Sequence, residues 1–230
     1  MNIEQLFDPV TSTYSYLLWD QKSRQAALID SVKEHVERDI KFIKQLGLEL
    51  KYTLETHIHA DHVTGSGLLR DEFGSQAAVH KNSQSDCADI LLSDGDKLKL
   101  GDEVIDIIYT PGHTDTDISY NIGTSVFTGD ALLIGGCGRT DFQSGDAKTL
   151  FHSITQKLFT LNDETIVYPG HDYNGFTNST VGREKAFNPR LGGDKSEETF
   201  VAIMDGLILD PPARIDIAVP GNLQCGLQQG

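Results

Sequence analysis

The pattern of apolar and polar positions alternates between strand-like and helix-like over the first third of the chain. β-rich runs at Thr13–Trp19 and Gln25–Ile29 flank a polar turn and predict a hairpin. Apolar residues then recur at helical spacing from Val36 and stop at Gly47, which predicts a helix with a glycine just past its end. Three further elements are predicted in this region: a strand at Tyr52–Thr56, a helix at Ser66–Phe73 and a strand at Ala77–His80.

The middle of the chain is predicted to be rich in strands. Lys97–Leu100 and Glu103–Thr110 flank a Gly-Asp turn, and Ser119–Ile122 and Ser125–Thr128 flank a Gly-Thr turn, so two hairpins are expected. The pattern therefore predicts a run of antiparallel pairs here.

The last third returns to mixed elements. Asp146 can cap a helix whose apolar positions run to Leu161, Thr165–Tyr168 is a predicted strand, and Glu197–Leu209 is a predicted helix. Two halves that each mix hairpins with helices predict two packed sheets with helices outside. We expect one domain over residues 1–230.

Composition excludes several function classes. The 19 Lys and Arg residues against 34 Asp and Glu residues give a net charge of −15, so neither a nucleic-acid face nor a polybasic membrane anchor is expected. No apolar run approaches a membrane span. The N-terminus lacks the features of a signal or transit peptide. Three widely spaced cysteines without a CxxC pair cannot all pair within the chain, and together these points predict a reducing cytoplasm.

Histidine carries the candidate chemistry. Three of the eight histidines, with one aspartate, fall within six residues at a predicted strand end: His57, His59, Asp61 and His62. Residues i and i+2 of an extended chain point the same way, so His57 and His59 can converge on one point. This density of imidazole and carboxylate groups is typical of metal ligands.

Three later segments share one format, in which an apolar strand ends in a glycine followed by a potential ligand. The ligands are His113, Asp130 and His171. Glycine allows a sharp turn at the rigid end of a strand, which places the next side chain accurately. The other histidines lack this context, and we expect His35 and His152 on helix surfaces and His80 at a strand-end surface.

The motifs HxHxDH (57–62), PGHT (111–114), FTGD (127–130) and PGH (169–171) together resemble the metallo-β-lactamase superfamily, from about Thr13 to His171. That resemblance implies a four-layer αββα sandwich with its metal site at one edge of the two sheets. Longer strings resemble the persulfide dioxygenases of this superfamily; they are residues 60–70, 129–142, 169–177, 188–191 and 217–222.

The resemblance implies one Fe(II) held by His57, His113 and Asp130. Two imidazoles and one carboxylate on one face leave about three positions open, as in non-haem Fe(II) oxygenases. The implied partners are glutathione persulfide and O₂, and the implied products are glutathione and sulfite. A bacterial cytoplasmic enzyme is expected, with a homodimer as a plausible assembly.

Spacing alone leaves a second interpretation open. His59, Asp61, His62 and His171 can hold a second metal, as in a glyoxalase II-like thioester hydrolase, or they can orient the ligands of one metal through hydrogen bonds. That hydrolase family usually carries a larger helical domain after the last histidine, whereas 59 residues with one clear helix follow here. A non-catalytic glutathione or metal sensor is the third hypothesis, disfavoured because every ligand is retained.

Four further residues are candidates for catalysis or substrate contact. Arg139 is predicted either to clamp a substrate carboxylate or to pair with Asp141. Arg214 can return to the site, and Tyr173 can donate a hydrogen bond to a reacting atom. Asp61 can fix a histidine tautomer or orient water. Cys137, which lies in the same loop as Arg139, is predicted to be a small packed residue.

Overall fold

The computed structural model describes residues 1–212 and 214–227, so the remaining positions of the predicted 1–230 domain lie outside the described residues. Two six-stranded sheets have the strand orders β1-β2-β3-β4-β5-β6 and β12-β11-β10-β9-β8-β7. The strands are β1 (Asn2–Asp8), β2 (Thr13–Trp19), β3 (Gln25–Ile29), β4 (Glu49–Leu54), β5 (Gln76–His80), β6 (Ile90–Leu92), β7 (Lys97–Leu100), β8 (Glu103–Tyr109), β9 (Ile118–Ile122), β10 (Ser125–Gly129), β11 (Ile166–Pro169) and β12 (Ser179–Thr180).

Helices cover the outer faces of both sheets. They are α1 (Val36–Gln45), α2 (Ser66–Phe73), α3 (Ala147–Gln156), α4 (Val181–Phe187), α5 (Glu197–Asp205) and α6 (Ile215–Leu223). Tyr16 and Leu54 of the first sheet share a buried cluster with Tyr120 and Phe127 of the second, which is the core between the sheets. Separate clusters join the first sheet to α1 and α2, and the second sheet to α3 and α5. The predicted αββα sandwich is confirmed.

Several helix ends lie where local sequence features predicted them. The α1 helix is followed by Gly47 at φ +60°, and α2 ends at Gly74 in the left-handed conformation. The side chain of Asp146 accepts a hydrogen bond from the Thr149 amide and caps α3 as predicted. The α5 helix ends at Asp205, so the predicted extension to Leu209 is wrong.

Five strands and helices had no prediction. The β1 strand lies at the edge of the first sheet, β6 and β12 are only three and two residues long, α4 is only seven residues long, and α6 contains Pro220. Proline usually interrupts a helix, so a helix through it is hard to predict. Within the described residues, three helices therefore follow His171, where the sequence indicated one clear helix.

His80 is buried, so its predicted surface position is wrong. Only 2% of the residue is exposed, and its ring stacks on Tyr109 with centroids 4.1 Å apart. Burial, with the nearby Lys81 ammonium, lowers the pKa of His80 to about 4. His35 is half-buried and bonds Asp8, while His152 is exposed on α3 as predicted.

We expect His80 to make the fold less stable in weak acid. The unfolded chain binds a proton near pH 6.5 and the folded chain only near 4, so the neutral ring contributes full stability above pH 6.5 and loses it as pH falls. Between pH 7 and 5 this costs about 2 kcal/mol. Urea unfolding at both pH values should show a smaller loss in His80→Gln than in the native chain or in the control His152→Gln. Equal losses in all three would contradict the assignment.

The cysteines are not all free thiols. Cys87 and Cys225 form a disulfide, and Cys137 is buried and unpaired. Burial raises the pKa of Cys137 to about 11, which agrees with a packed residue rather than a reactive thiolate. A bonded pair is typical of oxidising compartments, so the cysteines do not support the predicted reducing cytoplasm.

Candidate metal centre and active site

Four strand ends converge at one edge of the two sheets. His57 follows β4 of the first sheet, while His113, Asp130 and His171 follow β8, β10 and β11 of the second. The sheets touch directly here, because Thr13 forms a β-bridge with His171. The motifs read from the sequence are therefore brought together in space.

His57, His113 and Asp130 form the first ligand group. One ligand atom from each lies within 4.8 Å of the others. The His57 and His113 rings are 5.0 Å apart between centroids and nearly perpendicular. These residues can hold one metal ion on one face and leave its other positions open.

Hydrogen bonds place both imidazoles with a free Nε2. The Thr56 hydroxyl donates to Asp30 Oδ2 at 2.8 Å and can then only accept from His57 Nδ1, at 3.0 Å. The Nδ1–H of His113 donates to the carbonyl of Arg139 at 2.7 Å. Each Nε2 therefore keeps its lone pair, as metal binding requires.

Charge at the site also matches metal binding. Burial, reinforced by the neighbouring His59, holds the pKa of His57 well below its usual value, so the ring is neutral. Burial opposes ionisation of Asp130, but the His171 imidazole outweighs it and holds the pKa of that carboxyl far below its usual value. A neutral imidazole and an ionised carboxylate are the ligand forms.

His171 links two carboxylates. Its Nδ1 lies 2.6 Å from Asp130 Oδ1, and its Nε2 lies 3.1 Å from both Asp61 Oδ2 and the Thr13 hydroxyl. The two carboxylates raise the pKa of His171 well above its usual value, although burial opposes them. In this arrangement His171 orients Asp130, and Asp61 orients His171.

A second ligand group lies beside the first. His59, Asp61 and His62 also bring one ligand atom each within 4.8 Å. Within the part of the chain that the structure describes, His59 Nδ1 and His62 Nε2 are buried without a hydrogen-bond partner. Open nitrogens beside a carboxylate fit a second metal, so geometry alone leaves the one-metal and two-metal interpretations open.

Two glycines allow these turns to form. Gly129 has φ +51°, and a Cβ there would lie 2.5 Å from the Thr56 hydroxyl oxygen. Gly112 has φ +135°, and a Cβ there would collide with the backbone of Leu150. Both are positions where glycine alone fits, which explains why a glycine precedes His113 and Asp130.

Two adjoining cavities, of about 470 and 200 Å³, share His113, Asp130 and His171 in their walls. Tyr173 lines both, is 71% exposed, and stacks on His171 with ring centroids 6.1 Å apart. The larger cavity has room for a peptide-sized ligand beside the ligand groups.

The arginines divide into paired and unpaired groups. Arg139 lines the cavity, but its guanidinium donates to the Asp141 carboxylate through Nε and Nη2 at 2.7 and 2.8 Å. Of its two predicted roles, the structure therefore shows the ion pair with Asp141. Arg214 donates to Glu34 at 2.9 Å, and among the described residues it does not line either cavity. The cavity wall also contains Arg190, which had no predicted role.

Sequence reasoning missed Thr56, Asp30 and Arg190. Thr56 adjoins the histidine motif, so the signal for it was present. Asp30 closes β3 and reaches Thr56 across the parallel pairing of β3 with β4, which no local pattern reveals. Arg190 lies in the segment 188–191, which was used only for the resemblance to persulfide dioxygenases and was given no role of its own.

Comparison with known proteins agrees with this geometry. Residues 8–171 match the metallo-β-lactamase superfamily. The human mitochondrial persulfide dioxygenase ETHE1 is 50% identical, over 98% of this chain and 89% of that protein. The crystal structure of ETHE1 from Myxococcus xanthus superposes with a TM-score of 0.96 at 49% identity, covering 99% of this chain and 100% of that one. The hydroxyacylglutathione hydrolase GloC of Haemophilus influenzae is 37% identical, over 83% of this chain and 98% of that protein.

The fold, the four ligand motifs and these matches place the chain in the metallo-β-lactamase superfamily and, within it, in the family of persulfide dioxygenases. It is an enzyme with a metal cofactor. None of the helices in the described ranges is long and apolar enough to cross a bilayer.

Proposed function

We propose that the chain oxidises glutathione persulfide with one Fe(II) held by His57, His113 and Asp130. The reaction consumes one persulfide, one O₂ and one water, and yields glutathione, sulfite and two protons. The outer sulfur is oxidised and O₂ is reduced. Ferrous iron held by these three residues would supply the redox chemistry that activates O₂ toward the substrate sulfur.

The residues of the chain prepare that site. Thr56 and the Arg139 carbonyl fix the tautomers of His57 and His113, so both present Nε2 to the ion. His171 keeps Asp130 ionised and in place. Tyr173 stands at the cavity mouth, where its hydroxyl can donate to the substrate sulfur.

The convergence of His57, His113 and Asp130 supports this proposal most directly. The similarity to persulfide dioxygenase covers 98% of the chain at 50% identity. The similarity to the hydroxyacylglutathione hydrolase GloC has lower identity, 37%, and covers 83% of the chain. His59, Asp61 and His62 then orient the site rather than bind a second ion. A cytoplasmic location and a homodimer stay predictions from the sequence.

Metal analysis joined to two assays tests the function. Protein loaded anaerobically with Fe(II) should hold one iron per chain and consume about one O₂ per sulfite formed from glutathione persulfide. The same sample should leave S-lactoylglutathione intact. Two metals per chain, thioester hydrolysis and no persulfide-dependent oxygen uptake would reverse the assignment.

Arg190 is the cation best placed to bind a carboxylate of glutathione. Its Nη1 donates to the Cys137 carbonyl at 2.6 Å, which holds the guanidinium at the wall of the larger cavity. Among the described residues it forms no ion pair with a carboxylate, whereas Arg139 is neutralised by Asp141. Arg190 therefore brings local positive charge to a protein that is acidic overall.

Arg190→Met should raise the KM for glutathione persulfide about 10-fold or more, because a charge-assisted hydrogen bond is worth roughly 1.5–3 kcal/mol. Iron content and kcat should stay near the native values, since Arg190 belongs to neither ligand group. Arg183→Met removes an exposed arginine of α4 and is the matched control. An unchanged KM in Arg190→Met would exclude this contact.

A further inference from the structure

The C-terminal helix α6 reaches the histidine loop through one side chain. Asn222 is only 4% exposed. Its Nδ2 donates to the carbonyls of His59 and His62, each at 2.9 Å, and its Oδ1 accepts from the Thr64 amide at 2.7 Å. One amide group therefore uses both donor hydrogens and its acceptor on the loop of residues 59–64.

Regular backbone contacts support this loop at its end, where Thr64 forms a β-bridge with Val32 and the Val63 carbonyl accepts from the Lys33 amide at 2.8 Å. Residues 55–63 form neither helix nor strand, so their backbone groups lack the ladder bonds that satisfy most buried backbone. The carbonyls of His59 and His62 belong to residues that are 1% and 0% exposed. Buried carbonyls left unpaired are costly, so Asn222 holds the part of the loop from His59 to His62 that these end contacts do not reach.

The end of α6 is itself held in place. Cys225 is bonded to Cys87, and its carbonyl accepts from the Gly67 amide at 2.8 Å. The carbonyl of Gly226 accepts from Lys33 Nζ at 2.5 Å. These contacts fix the segment just after Asn222 to α2, to the segment before α1 and to the loop that contains Cys87, so the amide is held on a rigid support.

The loop position is passed on to a metal ligand. Asp61 lies between the two carbonyls that Asn222 holds, and its Oδ2 bonds His171 Nε2. His171 Nδ1 in turn bonds Asp130. A shift of the loop would therefore move the carboxylate of Asp130 through two hydrogen bonds.

We propose that Asn222 is a positioning residue of the metal centre, which sets the loop of residues 59–64 and, through Asp61 and His171, the orientation of Asp130. The inference rests on the metal centre of the proposed function and not on the identity of the persulfide. Asparagine suits the position because it offers two donors and one acceptor at fixed angles, whereas aspartate would face two carbonyls without a hydrogen to donate.

Hydrogen exchange on the metal-free protein and Co(II) binding test the proposal without using the reaction. In Asn222→Ala, amides of residues 59–65 should exchange at least about 10-fold faster, and the Co(II) dissociation constant should rise by about 10-fold or more, as for other groups that support metal ligands. The Co(II) visible absorption bands should shift as well. Asn222→Asp keeps the acceptor for Thr64, so it should protect that amide yet still weaken Co(II) binding.

Ser196→Ala is the matched control. It removes the side chain that caps α5 through the Thr199 amide, and so lowers stability without touching the loop. Unchanged exchange and Co(II) affinity in both Asn222 variants, or equal changes in Ser196→Ala, would overturn the proposal. If Asn222→Ala does not fold, the comparison of Asn222→Asp with Ser196→Ala decides. The native chain could lack persulfide-dependent oxygen uptake while the Asn222 variants still change hydrogen exchange and Co(II) affinity as expected. That result would refute the proposed reaction and support this inference.

Discussion

Asp130→Asn is expected to leave the protein folded but almost free of metal, with oxygen uptake reduced at least about 100-fold. Asp130 supplies the negative charge of the first ligand group, and its pKa is held so low that it is ionised at all working pH values. The amide keeps the shape and can still accept the bond from His171 Nδ1. The loss of charge alone should therefore weaken metal binding.

Iron per chain, measured after gel filtration, is the primary readout for this variant. Asp102→Asn is the control, because Asp102 is exposed and pairs with Lys22 at the surface. The control should retain native iron content and native oxygen uptake. Full iron content in Asp130→Asn would show that this carboxylate is not a ligand.

His171→Gln should lower kcat/KM for glutathione persulfide by about 10- to 100-fold while most of the iron stays bound. Partners that orient a ligand typically contribute this much. His171 bridges Asp130 and Asp61 across distances of 2.6 and 3.1 Å, and its loss leaves two half-buried carboxylates without their shared cation. The expected result is one iron per chain in a slower enzyme.

The metal count makes this variant informative about the alternative. If a second ion were bound by His59, Asp61 and His62 together with His171, the native chain would hold two metals and His171→Gln would hold one. His152→Gln, on the exposed face of α3, is the control and should match the native chain in both rate and metal content. A fall from two metals to one would favour the hydrolase interpretation.

Much of the fold was predictable because its signals are local. Asp146 caps α3, glycines follow α1 and α2, and glycines precede the ligands at three strand ends. These signals depend on a few neighbouring residues and survive without knowledge of the tertiary structure. The same is true of the ligand groups, because each motif places its side chains at the end of a strand.

The remaining features depend on contacts between distant parts of the chain. Asp30, after β3, accepts hydrogen bonds from Thr56, after β4. Arg139 forms an ion pair with Asp141, and Asn222 donates to His62, 160 residues earlier in the chain. The β1 strand is ordered by pairing with β2, and α6 tolerates Pro220 near its end. His80 is buried by stacking on a residue 29 positions away. No window of neighbouring residues contains this information.

The meeting of the two sheets at Thr13 and His171 has a consequence for how the protein matures. The metal ligands come from both sheets, and each sheet pairs its own strands. A bound ion therefore joins the two halves of the molecule. An ion that binds only the assembled pair stabilises it by RT ln(1 + [M]/Kd), about 2.7 kcal/mol when the free ion is at 100 times its Kd. Scarcity of metal would then reduce the amount of enzyme in the cell as well as its activity, because the chain without its ion would be the more easily unfolded and degraded form.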